Sequence, residues 1–201
     1  MKKIFVVGGM GAGKSCATEA LVSQGLPFID LDKVGHDVLR WQLVKDELVE
    51  EFGADILDEA GEVNRKALAA KAFVSASETR KLNRITMPRI EEAYSDRVDE
   101  LQAQGVPAVV VEYSVFKNRE LSLAYSADVV LAVLAPMETR IERAVASGFD
   151  EADVRNRIAR QITDADRIQS SDVVFNNDGT KEELANQVIN WWNQYKAENN
   201  L

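Results

Sequence analysis

Residues 4–21 read IFVVGGMGAGKSCATEAL. Four apolar residues run into a cluster of glycines, a lysine and a serine follow, and a helix-like pattern begins. Gly8, Gly13, Lys14 and Ser15 fit the spacing G-x-x-x-x-G-K-[ST]. Glycines let the backbone adopt positive φ and approach a ligand closely. Successive N–H groups then face one concavity and cradle phosphate oxygens, and the helix that follows adds its unpaired N–H groups and positive dipole end. In such a loop the lysine reaches the β and γ phosphates and the hydroxyl binds Mg²⁺. The expected contacts with ATP run over Gly9, Met10, Gly11, Ala12, Gly13, Lys14, Ser15 and Cys16, with Ser15 meeting the Mg²⁺ carried by the nucleotide. A glycine-rich turn without a ligand needs neither the lysine nor the serine at fixed offsets. Cys16 reads as a small half-buried helix residue, since no histidine lies near it in sequence to activate the thiol.

Working outward, the pattern alternates. Short apolar runs at 4–7, 27–30, 108–112 and 129–134, with a weaker one at 172–175, read as buried parallel strands. Helical patterns follow the glycine loop up to Gly25 and occupy 36–52, 65–73 and 77–105, with Pro88 opening a new helix or kinking a long one. This alternation implies an α/β fold with a five-stranded, mostly parallel sheet in a three-layer α/β/α arrangement. Residues of about 36–105 hold no good strand, so that block is expected to be a helical insertion. The tandem Trp191–Trp192 in the last helix reads as a docking helix with one indole in the core.

The 201-residue chain carries a net charge of −9, which argues against general nucleic-acid binding. Cys16 and His36 are single, so neither an internal disulfide nor a Cys/His zinc site can be built. The N-terminal apolar run is too short for a signal segment or a membrane span. A cytoplasmic protein is expected, with no membrane partner, a monomer in which weak self-association stays open.

The second strand runs into FIDLDKVGH, residues 28–36. Asp30 and Asp32 alternate, so in an extended segment both point to one side. The carboxyl end of a parallel strand beside a phosphate loop is where ligands bind in open α/β sheets, and a carboxylate there can take a proton from an attacking hydroxyl. Asp32 also suits a helix N-cap. Glu112 places another carboxylate at a strand end, where it can organise Mg²⁺ and its water.

The GGxGxGKS loop followed by IDxD resembles the dephospho-coenzyme A kinase family, P-loop kinases related to the nucleoside monophosphate kinases. HDVL (36–39), FGADILDEAGEVNRKALAAKAF (52–73), LNRITMPRI (82–90), RIERAVASG (140–148) and RIARQITDADRIQSSDVVFNNDG (157–179) extend the resemblance over residues of about 4–185. It implies transfer of the ATP γ-phosphoryl group to the ribose 3′-hydroxyl of dephospho-coenzyme A. It implies Asp32 as general base, Lys14 and Arg143 as neutralising charges, and Arg157 and Arg160 as phosphate contacts on a small lid of about 144–165. Asn177 matches an asparagine in a loop beside the adenine. Asp30, Asp32, His36, Arg65, Met87, Arg89 and Glu112 would meet the acceptor, largely within the helical insertion. The chain departs from the family pattern at Met87-Pro88, where His-Pro is usual, at EYSVFKN (112–118), and at Ser147, where a lid arginine is expected. One lost charge-assisted contact costs about 1.5–3 kcal/mol, and Arg155 is the neighbour able to stand in. A kinase of another small acceptor, such as a nucleoside or nucleotide, and a non-catalytic nucleotide-binding paralogue are the alternative readings.

Overall fold

The computed structural model describes residues 1–120 and 123–201. The chain forms two compact units, Met1–Asp30 with Leu101–Leu201, and Leu31–Glu100.

The first unit is built on a five-stranded parallel sheet of order β2-β3-β1-β4-β5. Its strands are β1 (Lys2–Gly8), β2 (Phe28–Asp30), β3 (Ala108–Tyr113), β4 (Val129–Leu134) and β5 (Val173–Asn176). The apolar runs are buried on both faces, as parallel strands must be: Ile4 to Val7, Val109 to Val111 and Val130 to Val133 are all 0% exposed. On one face Ile4, Val6, Val110, Leu131, Val133 and Phe175 share a core with Ala17 and Leu21 of α1 (Lys14–Val22) and with Leu184, Val188 and Trp192 of α9 (Lys181–Asn199). Trp192 is the buried indole of the pair, while Trp191 stacks on Tyr195 at 5.0 Å between ring centroids. A capping box between Thr180 and Glu183 starts α9. β1 is the central strand, with β3 and β4 on either side. The chain therefore leaves its carboxyl end where the connections diverge, the position at which open α/β sheets bind ligands. Three more helices, α6 (Met137–Ala146), α7 (Glu151–Ala159) and α8 (Asp164–Gln169), lie between β4 and β5 in sequence.

The second unit is helical: α2 (Leu31–Val38), α3 (Gln42–Phe52), α4 (Arg65–Ala72) and α5, which spans Ala76–Ala103. Val44, Leu48, Phe52, Ile56, Leu68, Ala72 and Ile85 form its core. Two expectations change here. The single helix expected over 36–52 is two, because the chain turns at 39–41 before α3 starts. Of the two alternatives for Pro88, opening a new helix falls away: it lies inside one long helix, the 28-residue α5. A helical proline forgoes one backbone donor, and Thr86, Ile85 and Leu82 keep the neighbouring turns packed or hydrogen-bonded. Among the described residues no helix is long and apolar enough to cross a membrane.

Candidate active site

The glycine loop joins a buried strand, paired on both sides, to a helix that starts abruptly. Gly13, with φ +104°, is the residue before α1, and no side chain caps the helix. Its first turn carries no acidic residue, so the positive helix end is left for an anion. The left-handed conformation favours glycine, and packing adds a second reason: a Cβ on Gly13 would stand 2.2 Å from Asn177 Nδ2. Asn177 is 4% exposed. Its amide donates to the Ala12 carbonyl at 2.8 Å, and its backbone N–H donates to the Leu134 carbonyl at 2.7 Å. The asparagine matched to an adenine loop thus spends its side-chain donor on the phosphate loop itself.

One face of α1 carries hydroxyls onto Glu112 of β3. Ser15 Oγ donates to Glu112 Oε1 at 3.4 Å, and Thr18 Oγ1 donates to Oε2 at 3.0 Å. Asp30 is the register partner of Glu112 on the adjacent strand. Burial pushes the Glu112 carboxyl above the ordinary glutamate range, opposed by Lys14 and the Thr18 hydroxyl and reinforced by Asp30. Thr18, 3% exposed, was not visible as a site residue from the motif. Its position three residues after Ser15, one helical turn on, is the signal that places it on the same face. Ser15, Glu112 and Asp30 offer only oxygen donors, the kind a hard divalent cation takes; no group of three His, Cys, Asp or Glu side chains able to hold a metal exists among the described residues. Cys16 is half-buried against the Lys181 carbonyl, with its thiol pushed up by burial.

Arg143 of α6 points at the loop after β5, donating to the Asn177 carbonyl at 3.3 Å and to Asn177 Oδ1 and the Gly179 carbonyl at 3.5 Å. These bonds are long and therefore weak. Arg157 of α7 pairs with Asp153 at 2.8 Å and lies over the Phe149 ring. Arg160 is exposed just beyond α7. Arg155 binds Glu151 at 2.9 Å and Glu138 at 3.1 Å, exposed pairs of small net worth.

In the second unit Asp32 is exposed in the first turn of α2. The alternation expected for Asp30 and Asp32 does not hold, because β2 ends at Asp30 and the chain is already helical at Leu31. For the same reason Asp32 is not the N-cap; its charge sits within the positive end of α2. His36 Nε2 lies 2.7 Å from Arg65 Nη1. The guanidinium is the donor, so the imidazole nitrogen accepts. The two flank an apolar cavity of about 310 Å³ lined by Leu39, Leu68, Phe73 and Ile90 among others. Thr86 and Ile90 reach this cavity from α5. Met87 and Arg89, picked out in sequence, do not line it: Met87 is half-buried, and Arg89 pairs with Glu92 at 3.4 Å and Glu47 at 3.8 Å.

Three comparisons bear on this arrangement. Residues 3–183 match the family model described as dephospho-CoA kinase. The chain is 40% identical over 190 residues to a dephospho-CoA kinase of Corynebacterium efficiens, covering 94% of each. Among solved structures it resembles TT1252 from Thermus thermophilus at a TM-score of 0.81 and 25% identity, covering 96% of this chain and 97% of that one. It also shares its fold with a dephospho-CoA kinase from Campylobacter jejuni, at a TM-score of 0.75 and 21% identity, covering 99% and 100%.

Proposed function

The chain belongs to the dephospho-CoA kinase family, and from that premise we propose that it transfers the γ-phosphoryl group of ATP to the ribose 3′-hydroxyl of dephospho-coenzyme A. The products are coenzyme A and ADP. The observation that carries this reading is the family match over residues 3–183. It runs through the glycine loop, the β2–α2 corner and the loop after β5 alike.

The chemistry divides by residue. The loop from Gly9 to Cys16 takes the triphosphate on backbone N–H groups and the α1 N-terminus. Lys14 and Arg143 offset the charge that spreads over the transferring group, and Arg157 and Arg160 approach the phosphates from a lid of about 144–165. Asn177 holds the loop near the base. Asp32 accepts the proton of the 3′-hydroxyl as its oxygen bonds to the γ phosphorus and the bond to the ADP oxygen breaks. Ser15, with Glu112 and Asp30 behind it, would hold the nucleotide's Mg²⁺. Bound there, Mg²⁺ would supply positive charge to offset the negative charge of the triphosphate.

The helical unit, with Asp32, His36 and Arg65, receives the acceptor; Asp30 and Glu112 of the sheet unit are further proposed acceptor contacts. Arg65 at the mouth of an apolar cavity suits a molecule that joins an anionic diphosphate to a long, weakly polar arm. His36 orients that guanidinium, and Met87 and Arg89 of α5 are further proposed acceptor contacts outside the cavity lining. The proposed compartment is the cytoplasm, and the proposed state a monomer.

An ADP-release assay across acceptors tests the proposal. With MgATP present, dephospho-coenzyme A should outpace nucleosides and nucleotides at equal concentration. A nucleoside preferred over dephospho-coenzyme A would replace this reading with that of another small-acceptor kinase.

A further inference from the structure

Met10 occupies a variable position of the glycine motif, yet both of its backbone polar groups are taken by side chains from distant parts of the first unit. Its N–H donates to Gln161 Oε1 at 3.0 Å. Its carbonyl accepts from Arg140 Nε at 2.9 Å. The two side chains are joined, because Arg140 Nη2 donates to the same Gln161 oxygen at 3.1 Å. The Met10 side chain packs against Ile141 and Ala144 of α6 and Val154 and Ile158 of α7.

Arg140 is 5% exposed, and the loop is shaped around it. A Cβ on Gly9 would stand 1.9 Å from its Nη2, and one on Gly11 would stand 2.2 Å from its carbonyl oxygen. Gly11, at φ +73° against the backbone of α6, is therefore required whatever ligand the loop carries, and Gly9 makes room for the buried guanidinium. Asp164 steadies Arg140 from 3.7 Å and pairs more closely with Arg167, itself 3% exposed. Two buried guanidiniums share one carboxylate, which leaves a net positive charge beneath a loop that receives anions.

We infer that Gln161 and Arg140 are positioning residues: through Met10 they hold the phosphate loop in its nucleotide-binding shape and couple the α6–α7 segment to donor affinity. The inference rests on the reading that the loop binds ATP. A loop fixed before the ligand arrives does not lose that conformational freedom on binding, and Met10 is the point at which α6, α7 and Gln161, two residues beyond α7, fix it.

The test measures ATP affinity by calorimetry and Met10 amide exchange by NMR in the nucleotide-free protein. Gln161→Leu keeps bulk but loses the acceptor oxygen. It should weaken ATP binding about tenfold, the scale of one lost hydrogen bond to a charged group, and speed Met10 exchange, with a thermal midpoint near that of the wild type. Gln161→Glu returns the oxygen and should restore slow exchange and most of the affinity. If Gln161→Leu fails to fold, Arg140→Lys decides, since an ammonium cannot span Met10 and Gln161 as the guanidinium does. Wild-type ATP affinity in Gln161→Leu, or in Arg140→Lys where that variant decides, overturns the inference. So does fast Met10 exchange in Gln161→Glu. A wild-type protein unable to bind ATP would instead overturn the functional reading, and the exchange comparison would still decide the role of Gln161.

Discussion

Lys14 and Asp32 carry charges of opposite sign and opposite duty, so their substitutions separate binding from chemistry. Lys14→Ala removes a cation from the phosphate cradle and should lower turnover about 100-fold or more while weakening ATP binding. Asp32→Asn keeps the shape and loses the base. It should cost about 10²–10⁴ in turnover with ATP affinity retained, read by single-turnover kinetics beside calorimetry. Undiminished turnover in Asp32→Asn would remove that residue from the base role. Glu112 offers a pH signature. Burial holds its carboxyl above the usual range, so the folded chain binds this proton more tightly than the unfolded chain does. Stability from this group is fully present below the ordinary glutamate pKa and is lost as pH rises through the folded value. Glu112→Gln removes that slope. The thermal midpoint of the variant relative to wild type should climb with pH through the mildly acidic range, and a flat difference would contradict the burial argument.

At the scale of elements, the glycine loop, the order of strands and helices, and the buried indole were legible in the sequence. Each rests on local chemistry or on hydrophobic period. What the motif did not disclose is why its glycines are glycines. Gly9 and Gly11 make room for Arg140, and Gly13 for Asn177, and those neighbours lie far away along the chain. Asp32 was singled out correctly as standing at the β2–α2 corner, but its geometry was read from an extended backbone that ends two residues earlier. A three-residue strand gives too few residues for period to mark its end. On α5, Thr86 and Ile90, one turn apart, reach the cavity and Met87 and Arg89 do not; only the helix's phase distinguishes the two pairs. Gly13→Ala tests the loop as an element. The added Cβ meets Asn177 at a φ of +104°, and left-handed strain alone costs about 1–2 kcal/mol. ATP affinity should fall about tenfold or more, measured by calorimetry; unchanged affinity would show that the loop yields there.

For the whole molecule, the proposed function places donor binding on the sheet unit and acceptor binding on the helical unit, each with its own core. Leu48 is 0% exposed in the helical unit. Leu48→Ala should lower stability by about 2–5 kcal/mol and raise the KM for the acceptor, while ATP affinity, which depends on the sheet unit, holds. Equal losses at both sites would refute that division. The net charge of −9 does not conflict with two anionic substrates, because Lys14, Arg140 and Arg143 concentrate positive potential around the phosphate loop and Arg65 supplies it by the apolar cavity. The most direct measurement is the product itself. Protein, MgATP and dephospho-coenzyme A are incubated together, and the acceptor is recovered for mass spectrometry and phosphorus NMR. The prediction is a gain of one phosphoryl group as a monoester on the ribose 3′-oxygen, formed together with ADP; recovery of unmodified dephospho-coenzyme A from a protein that binds ATP would contradict it.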